Sequence, residues 1–169
     1  AMGGFVLVGG WPGSGKSTLS RSLASELALP LLSKDAVKEA LMDALGAPTD
    51  IEESRRMGRA AVFALAAAAQ GCPGAVIDST WYPYAEPLMR GLPGPVVEVR
   101  CNVPRAIAHD RYLRRGRDAR HLDDQRLPSE LWGEEVAPLG LGPVLGVDDL
   151  EERLPAELGE LEAEELLLG

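Results

Sequence analysis

Apolar and polar positions along the chain follow two alternating periods. Short apolar runs that are typical of buried parallel strands are predicted near residues 4–9, 30–33, 74–78, 95–101 and 143–147. Between them, apolar residues recur every three or four positions, which is typical of helices. Helices are predicted near residues 16–28, 35–45, 51–70, 104–115, 128–136 and 149–158. Strands that alternate with helices in this way predict an α/β fold built on a parallel sheet.

A glycine-rich motif separates the first predicted strand from the first predicted helix. Residues 10–17 read Gly-Trp-Pro-Gly-Ser-Gly-Lys-Ser and match the pattern G-x-x-x-x-G-K-[ST]. Backbone N–H groups of such a loop surround phosphate oxygens, and the helix that follows directs its positive end toward them. Lys16 would contact the terminal phosphates, and the Ser17 hydroxyl would hold Mg²⁺. The residues expected to bind ATP here are Gly10, Pro12, Gly13, Ser14, Gly15, Lys16, Ser17 and Thr18.

Two aspartates stand where predicted strands end, which is where ligands bind in open parallel sheets. Asp78 ends an apolar strand in the manner of a Walker B element and would hold Mg²⁺ with Ser17, unless it only caps the strand end. Asp35 would accept the proton of an attacking hydroxyl, although an N-cap role is an alternative. Lys38, one helical turn further on, would face the same pocket and contact an anionic or polar acceptor.

Arginines are concentrated after the fourth predicted strand, with seven between Arg105 and Arg126. Arg111 and Arg115 are four residues apart and would share one helix face, where two guanidinium groups could clamp a phosphoryl group. The polar stretch that follows is expected to form a mobile lid at about 114–127. A solvated face paired with nearby aspartates is the alternative for each arginine.

Aromatic residues gather immediately after Asp78. Trp81 and Tyr82 could form a wall of the acceptor pocket or could pack under a loop, and the sequence leaves both possibilities open.

Length and charge limit the classes of protein that are compatible with these motifs. The 169 residues suit one domain, expected over 1–158 and followed by an acidic tail at 159–169. The net charge is −9, and nine acidic residues with one arginine between Asp148 and Gly169 supply −8 of it. The rest of the chain is nearly neutral, so it lacks the general excess of basic residues that is typical of nucleic-acid-binding proteins. No apolar run is long enough to cross a membrane, and Cys72 and Cys101 lack metal spacing, so a reduced cytoplasmic location is expected.

The order of these motifs resembles the small P-loop kinases, in particular the AAA-type predicted kinases grouped with zeta toxins, chloramphenicol phosphotransferase and 5′-polynucleotide kinases. The resemblance rests on the glycine-rich motif at residues 10–17, which is the P-loop, and on three further stretches. These are Lys34-Asp35-Ala36-Val37-Lys38, Val76-Ile77-Asp78-Ser79-Thr80, and Cys101-Asn102-Val103-Pro104 leading to Arg111 and Arg115. It implies a three-layer P-loop fold with a five-stranded parallel sheet, and phosphoryl transfer from ATP with Mg²⁺ to a hydroxyl. By resemblance Asp35 matches the general base, and Arg111 or Arg115 matches a lid arginine at the phosphates or adenine.

The favoured hypothesis is therefore an ATP- and Mg²⁺-dependent kinase that phosphorylates a hydroxyl of a small molecule. A polynucleotide 5′-hydroxyl kinase is an alternative, which the neutral body of the chain disfavours. A nucleotide-dependent switch or interaction module without phosphoryl transfer is an alternative of another class, but the chain lacks the N-K-x-D guanine reader of GTPases. Neither an adenylate-kinase-like nor a shikimate-type acceptor segment is recognisable, so the sequence leaves the acceptor open.

Overall fold

A five-stranded parallel sheet forms the centre of the protein. The computed structural model describes residues 3–132 and 137–147. The strands are β1 (Phe5–Gly10), β2 (Leu31–Ser33), β3 (Ala75–Asp78), β4 (Val96–Cys101) and β5 (Val144–Val147). Their order across the sheet is β2-β3-β1-β4-β5, and every neighbouring pair is parallel. All five strands coincide with predicted ones within one or two residues, which confirms the α/β fold.

Helices cover both faces of this sheet. They are α1 (Lys16–Glu26), α2 (Lys34–Leu45), α3 (Ile51–Gln70), α4 (Glu86–Arg90), α5 (Arg105–Arg114) and α6 (Pro128–Trp132). The five-residue α4 was not predicted, because it is too short to show a helical period. The helix expected at 128–136 is described only as α6, and the predicted helix at 149–158 and tail at 159–169 lie outside the described residues.

The alternation of side chains along β1 creates two separate apolar layers. Phe5 and Leu7 point to one face, where they pack with apolar residues of α3 and α4. Val6 and Val8 point to the other face, where they pack with α1. Because β1 is buried on both faces and flanked by β3 and β4, its carboxyl end is fixed at the middle of the sheet.

Parallel register brings three strand ends together. Asp78, the last residue of β3, lies opposite Val8 of β1 on one side and opposite Ser33 of β2 on the other. The loop after β1 and the start of α2 therefore meet across Asp78. This edge of the sheet is where an open α/β fold binds ligands.

A compact segment, residues 115–127, follows α5 and covers this edge. It contains two short 3-10 turns, Ala119–His121 and Asp123–Gln125, rather than a regular helix. The His121 side chain is fully buried, and its Nε2 lies 2.8 Å from a carboxylate oxygen of Glu39 in α2. The segment is thus anchored to α2. Over the described ranges, no helix combines the length and apolar character needed to cross a bilayer.

Candidate active site

The loop after β1 forms a backbone cradle at the N-terminus of α1. Gly13 and Gly15 both have positive φ, 77° and 91°, which favours glycine. A Cβ on Gly13 would lie 2.4 Å from the carbonyl oxygen of Ala108 in α5, so only glycine allows the loop to approach that helix. α1 begins at Lys16, and its free N–H groups and helix dipole face the loop. The cradle is suited to an anion such as a phosphate.

Lys16 places a positive charge beside this cradle. The Nζ of Lys16 donates to the carbonyl oxygen of Trp11 at 3.1 Å. Burial lowers the pKa of Lys16, and the nearby carboxylate of Asp78 counteracts part of that effect. A phosphate at the cradle would add negative charge beside this half-buried amine and favour its protonated form.

Ser17 and Asp78 present a pair of oxygen donors. Asp78 is 7% exposed, and burial raises the pKa of its carboxyl, against the opposing charge of Lys16. The Ser17 hydroxyl lines the same cavity and opposes this rise in the pKa of Asp78. Hard oxygen ligands beside a phosphate cradle fit Mg²⁺, which binds proteins through one or two carboxylate or hydroxyl groups and through substrate phosphates.

Asp35 faces this pair from the first turn of α2. The alternative that Asp35 caps the helix is wrong, because Ser33 is the N-cap and its Oγ accepts from the backbone N–H of Ala36 at 3.4 Å. The Asp35 carboxylate instead accepts from Arg117 at 3.0 Å, and Lys34 Nζ lies 3.4 Å away. Burial alone would raise the pKa of Asp35, but Lys34 and Arg117 outweigh it and hold that pKa well below its usual range. Asp35 is therefore ionised at neutral pH.

The P-loop lysine and the Asp35 carboxylate line one cavity, which we call the central cavity. It has a volume of about 70 Å³. Its lining residues are Pro12, Lys16, Ser17, Ser33, Lys34, Asp35, Asp78, Ser79, Thr80, Tyr82, Arg115, Arg117, Arg126 and Leu131. The lysine of the glycine-rich loop and the carboxylate at the start of α2 therefore face the same space.

A second cavity, the outer pocket, lies on the other side of Lys16. Its lining residues are Gly13, Gly15, Lys16, Ser17, Thr18, Arg111 and Arg115. The outer pocket and the central cavity share Lys16, Ser17 and Arg115. These three residues therefore mark the point where a phosphate chain lying along the cradle would enter the central cavity.

The two arginines named from the sequence occupy different places. Arg111 lines only the outer pocket, whereas Arg115, just past the end of α5, lines both cavities. The Arg115 guanidinium lies 4.7 Å from the ring centre of Tyr112 and 4.0 Å from Asp123. Burial and the neighbouring Arg117 lower its pKa. Between the two, Arg115 is the one whose position suits a phosphate at Lys16.

Two residues that the sequence suggested for the acceptor lie away from the central cavity. Lys38 is fully buried behind it, and its Nζ donates to Ser54 of α3 at 2.8 Å. Trp81 is 3% exposed and packs in the core, where its indole N–H donates to the carbonyl oxygen of Val8 at 3.0 Å. For Trp81 the packing alternative is the one the structure favours. Tyr82, its neighbour, does line the cavity.

Sequence reasoning gave no role to three basic residues that line the central cavity. Lys34 directly follows β2, and this position after a strand end was the feature of the sequence that could have identified it as a site residue. Arg117 bridges Asp35 and Asp123 at 3.0 and 2.6 Å, and its buried Nε has no hydrogen-bond partner among the described residues. Arg126 is the third. The concentration of arginines near residues 105–126 indicated the region in which Arg117 and Arg126 lie. It did not indicate which arginines of that region reach the site.

Comparison with known proteins is consistent with this geometry. Residues 5–135 match the family model described as an AAA domain. Among curated proteins, none matches the chain. A structure described as a "putative kinase" from Chloroflexus aurantiacus is 31% identical, with a TM-score of 0.84 over 99% of this chain and 100% of that one.

More distant solved structures share the fold. An APS kinase from Mycobacterium tuberculosis, in complex with AMPPNP and APS, is 18% identical, with a TM-score of 0.62 and 99% of each chain covered. A shikimate kinase from Bacteroides thetaiotaomicron is 20% identical, with a TM-score of 0.59 and all of each chain covered. At these identities the likeness establishes the architecture, and the acceptor has to be argued from the residues of this chain.

Proposed function

Because the chain belongs to the AAA domain family and has the fold of small P-loop kinases, we propose that it is an ATP- and Mg²⁺-dependent kinase that transfers the γ-phosphoryl group to a hydroxyl of a small molecule. One observation carries the proposal. Lys16 and Asp78 stand in the same cavity as Asp35, which faces them from a different element. A phosphate site and a carboxylate that can receive an alcohol are thus on either side of one transfer point.

The nucleotide would lie along the outer pocket, with its phosphates in the cradle of the P-loop. Gly10, Pro12, Gly13, Ser14, Gly15 and Thr18 shape this cradle, and Lys16 would contact the terminal phosphates. Ser17 and Asp78 would hold Mg²⁺, which would supply positive charge that offsets the charge of the phosphates. Arg115 would stabilise the charge that develops on the transferred group, and Arg111 would contact the nucleotide nearer the entrance.

Asp35 would receive the acceptor alcohol. Its ionised carboxylate would accept a hydrogen bond from the hydroxyl and hold the oxygen in line with the γ-phosphorus. The oxygen–phosphorus bond forms as the bond between the γ-phosphorus and its bridging oxygen breaks. ADP then leaves, and the hydroxyl proton passes to Asp35 and on to water. Arg117, which donates to Asp35 at 3.0 Å, would fix the orientation of the carboxylate.

Two substitutions test this assignment. We expect Lys16→Ala to abolish ATP consumption, because the terminal phosphates lose their cation. We expect Asp35→Asn to lower transfer a hundredfold or more, the usual range for a general base, while ATP binding is retained. Coupled ADP release over a panel of hydroxylated metabolites, antibiotics and 5′-hydroxyl oligonucleotides measures turnover, and ³¹P NMR identifies the product.

The control is Arg56→Ala, an exposed residue of α3 that lines none of the cavities described above. This variant should turn over like the parent chain. Unchanged turnover in Asp35→Asn would reduce Asp35 to a structural partner of Arg117. ATP binding without phosphorylation of any acceptor would instead support the nucleotide-dependent switch.

A further inference from the structure

A third cavity opens beside the central cavity, away from the P-loop. This lateral groove, formed between α3, the loop after β3 and the start of α6, has a volume of about 530 Å³, which is typical of small-molecule sites. It shares Lys34, Thr80, Tyr82 and Arg126 with the central cavity. A molecule bound in the lateral groove could therefore extend to Asp35 and would approach it from the side opposite the nucleotide.

Basic side chains dominate the lateral groove. Lys34 comes from the start of α2, Arg55 and Arg59 from α3, and Arg126 from the segment after α5. Glu130 is the single carboxylate among the lining residues. Four cations against one carboxylate are notable in a chain whose net charge is −9. Such a local excess attracts anions.

Glu130 forms ion pairs with two of these cations. Its carboxylate is paired with Arg55 and lies 3.4 Å from Arg126. Arg59 differs from both, because it is exposed and forms no ion pair with any residue in the described ranges. A guanidinium group that lines a groove without a protein carboxylate can offer all its N–H donors to a ligand.

Lys34 is also incompletely neutralised. Its Nζ lies 3.4 Å from Asp35, and that carboxylate is shared with Arg117. Burial and the charges of Arg117 and Arg126 lower the pKa of Lys34, although Asp35 counteracts part of this effect. A further negative charge at this end of the groove would relieve the repulsion among these cations.

The opposite wall is aromatic and suits a carbon skeleton. The rings of Tyr82 and Tyr84 stack with centres 6.4 Å apart and planes 17° apart. The Tyr82 hydroxyl donates to the carbonyl oxygen of Glu130 at 2.8 Å, which fixes its ring. On the other side Gly58 has no side chain, and a Cβ there would lie 3.6 Å from Cε of Lys34. The absence of that side chain leaves room beside the amine.

We propose that the lateral groove selects acceptors that carry a carboxylate or phosphate group in addition to the hydroxyl that is phosphorylated. Arg59 and Lys34 would hold the anionic group, the skeleton would lie against the tyrosines, and the hydroxyl would point to Asp35. The inference rests on the proposed function, since it names the substrate class of the same site. Carboxylate and phosphate share the chemistry that guanidinium recognises, and the experiment separates them.

The test compares acceptors that share a skeleton but differ in charge. The probes are glucose, gluconate and glucose 6-phosphate, glycerol with glycerate and glycerol 3-phosphate, and shikimate with its methyl ester. Each is titrated into the full chain by calorimetry at fixed ionic strength, with ADP and Mg²⁺ saturating so that the P-loop is occupied. The same compounds are then assayed with ATP for phosphorylation.

We expect the anionic member of at least one series to bind tenfold or more tightly than its neutral partner. Arg59→Ala should remove most of that preference, because one charge-assisted contact contributes about a tenfold factor or more. Arg59→Lys should restore part of it. Arg59 is exposed, so folding should be unaffected, and Arg56→Ala on the same helix should keep the full preference. Gly58→Leu, which fills the groove, should weaken binding of all members of that series.

The outcomes separate the inference from the proposed function. Neutral acceptors that bind and react as well as anionic ones, or an anion preference equally strong in Arg59→Ala and Arg56→Ala, would overturn the inference and leave the kinase intact. Anion binding that depends on Arg59, without ATP consumption on any acceptor, would support the anion site and refute the kinase. A preference shown by carboxylates alone or phosphates alone identifies which anion the groove takes.

Discussion

Lys38 shows how a single buried amine can influence the whole site. Its side chain has no exposed surface, and the hydroxyl of Ser54 is its hydrogen-bond partner at 2.8 Å. That hydroxyl also donates to the carbonyl oxygen of His121 at 3.2 Å, and Arg126 lies 3.4 Å from it. Lys38 therefore supports the segment 115–127 from behind, through one serine.

The charge state of Lys38 should make stability depend on pH. Burial, together with the charges of Lys34, Arg126 and Arg117, lowers its pKa from 10.5 to about 7. Between these values the unfolded chain holds a proton that the folded chain lacks, so the free energy of unfolding should rise with pH. One proton contributes at most about 1.4 kcal/mol per pH unit. Urea unfolding at constant ionic strength, from pH 7 to 9.5, measures the slope.

Lys38→Met removes the amine and should flatten that slope relative to the parent chain. Ser54→Ala is the matched variant, because it keeps the amine but removes its hydrogen-bond partner. The pH dependence should persist in Ser54→Ala and begin at lower pH. Equal slopes in Lys38→Met and the parent chain would show that Lys38 is charged in the folded protein.

At the scale of elements, Glu98 ties β4 to the chain that leads into β5. Glu98 is 3% exposed and faces the apolar layer of Phe5 and Leu7. Its carboxylate accepts hydrogen bonds from three successive backbone N–H groups, those of residues 139–141. Leu139 and Leu141 pack against the same layer. These three bonds satisfy a charge that would otherwise be costly to bury.

We expect Glu98→Gln to lower the free energy of unfolding by about 1–3 kcal/mol, because a neutral amide replaces a charge-assisted acceptor. Urea unfolding measures the loss. The substitution should accelerate hydrogen exchange at residues 139–141 more than exchange within the strands. The control is Glu26→Gln, at an exposed position at the end of α1, which should change stability by less than about 0.5 kcal/mol. An equal loss in the two variants would contradict this role.

Periodicity predicts the elements of this fold well, but it does not show which face of an element meets the site. The strands could be predicted because apolar runs bounded by Gly and Pro leave few alternatives. The assignment of Lys38 to the pocket assumed that a residue one turn after Asp35 shares its surroundings. α2 packs against α3, and that contact turns Lys38 toward Ser54 while Asp35 stays at the cavity.

Long-range contacts explain why part of the site could not be predicted. Asp35 could be named because it closely follows the end of a strand, and the rule for parallel sheets places such residues at the ligand edge. Its partner Arg117 lies 82 residues further along the chain. The sequence indicated an arginine cluster, but only the docking of 115–127 on α2 selects Arg117 and Arg126 from it. The burial of Trp81 also depends on a long-range contact, because its indole N–H donates to the carbonyl oxygen of Val8 in β1.

For the whole molecule, the central cavity depends on elements that are far apart in sequence. The P-loop, α2, the end of β3 and the segment 115–127 each contribute a charged group. Ion pairs join these pieces. For example, Arg120 of the segment 115–127 is paired with Asp43 of α2 at 2.7 Å. A ligand that bridges the P-loop and this segment should therefore stabilise the entire fold, because it binds only when the pieces are assembled.

Nucleotide binding should raise the melting temperature even without an acceptor. At a hundred times its Kd, a ligand that binds only the folded chain adds about 2.7 kcal/mol, which is about 5–10 °C for a domain of this size. Thermal unfolding with and without ATP and Mg²⁺ measures the shift. Lys16→Ala should lose most of it, whereas Asp35→Asn should keep it, because Asp35 faces the acceptor side. A shift that survives in Lys16→Ala but disappears in Asp35→Asn would place the nucleotide on the Asp35 side of the central cavity and refute the assignment of both sites.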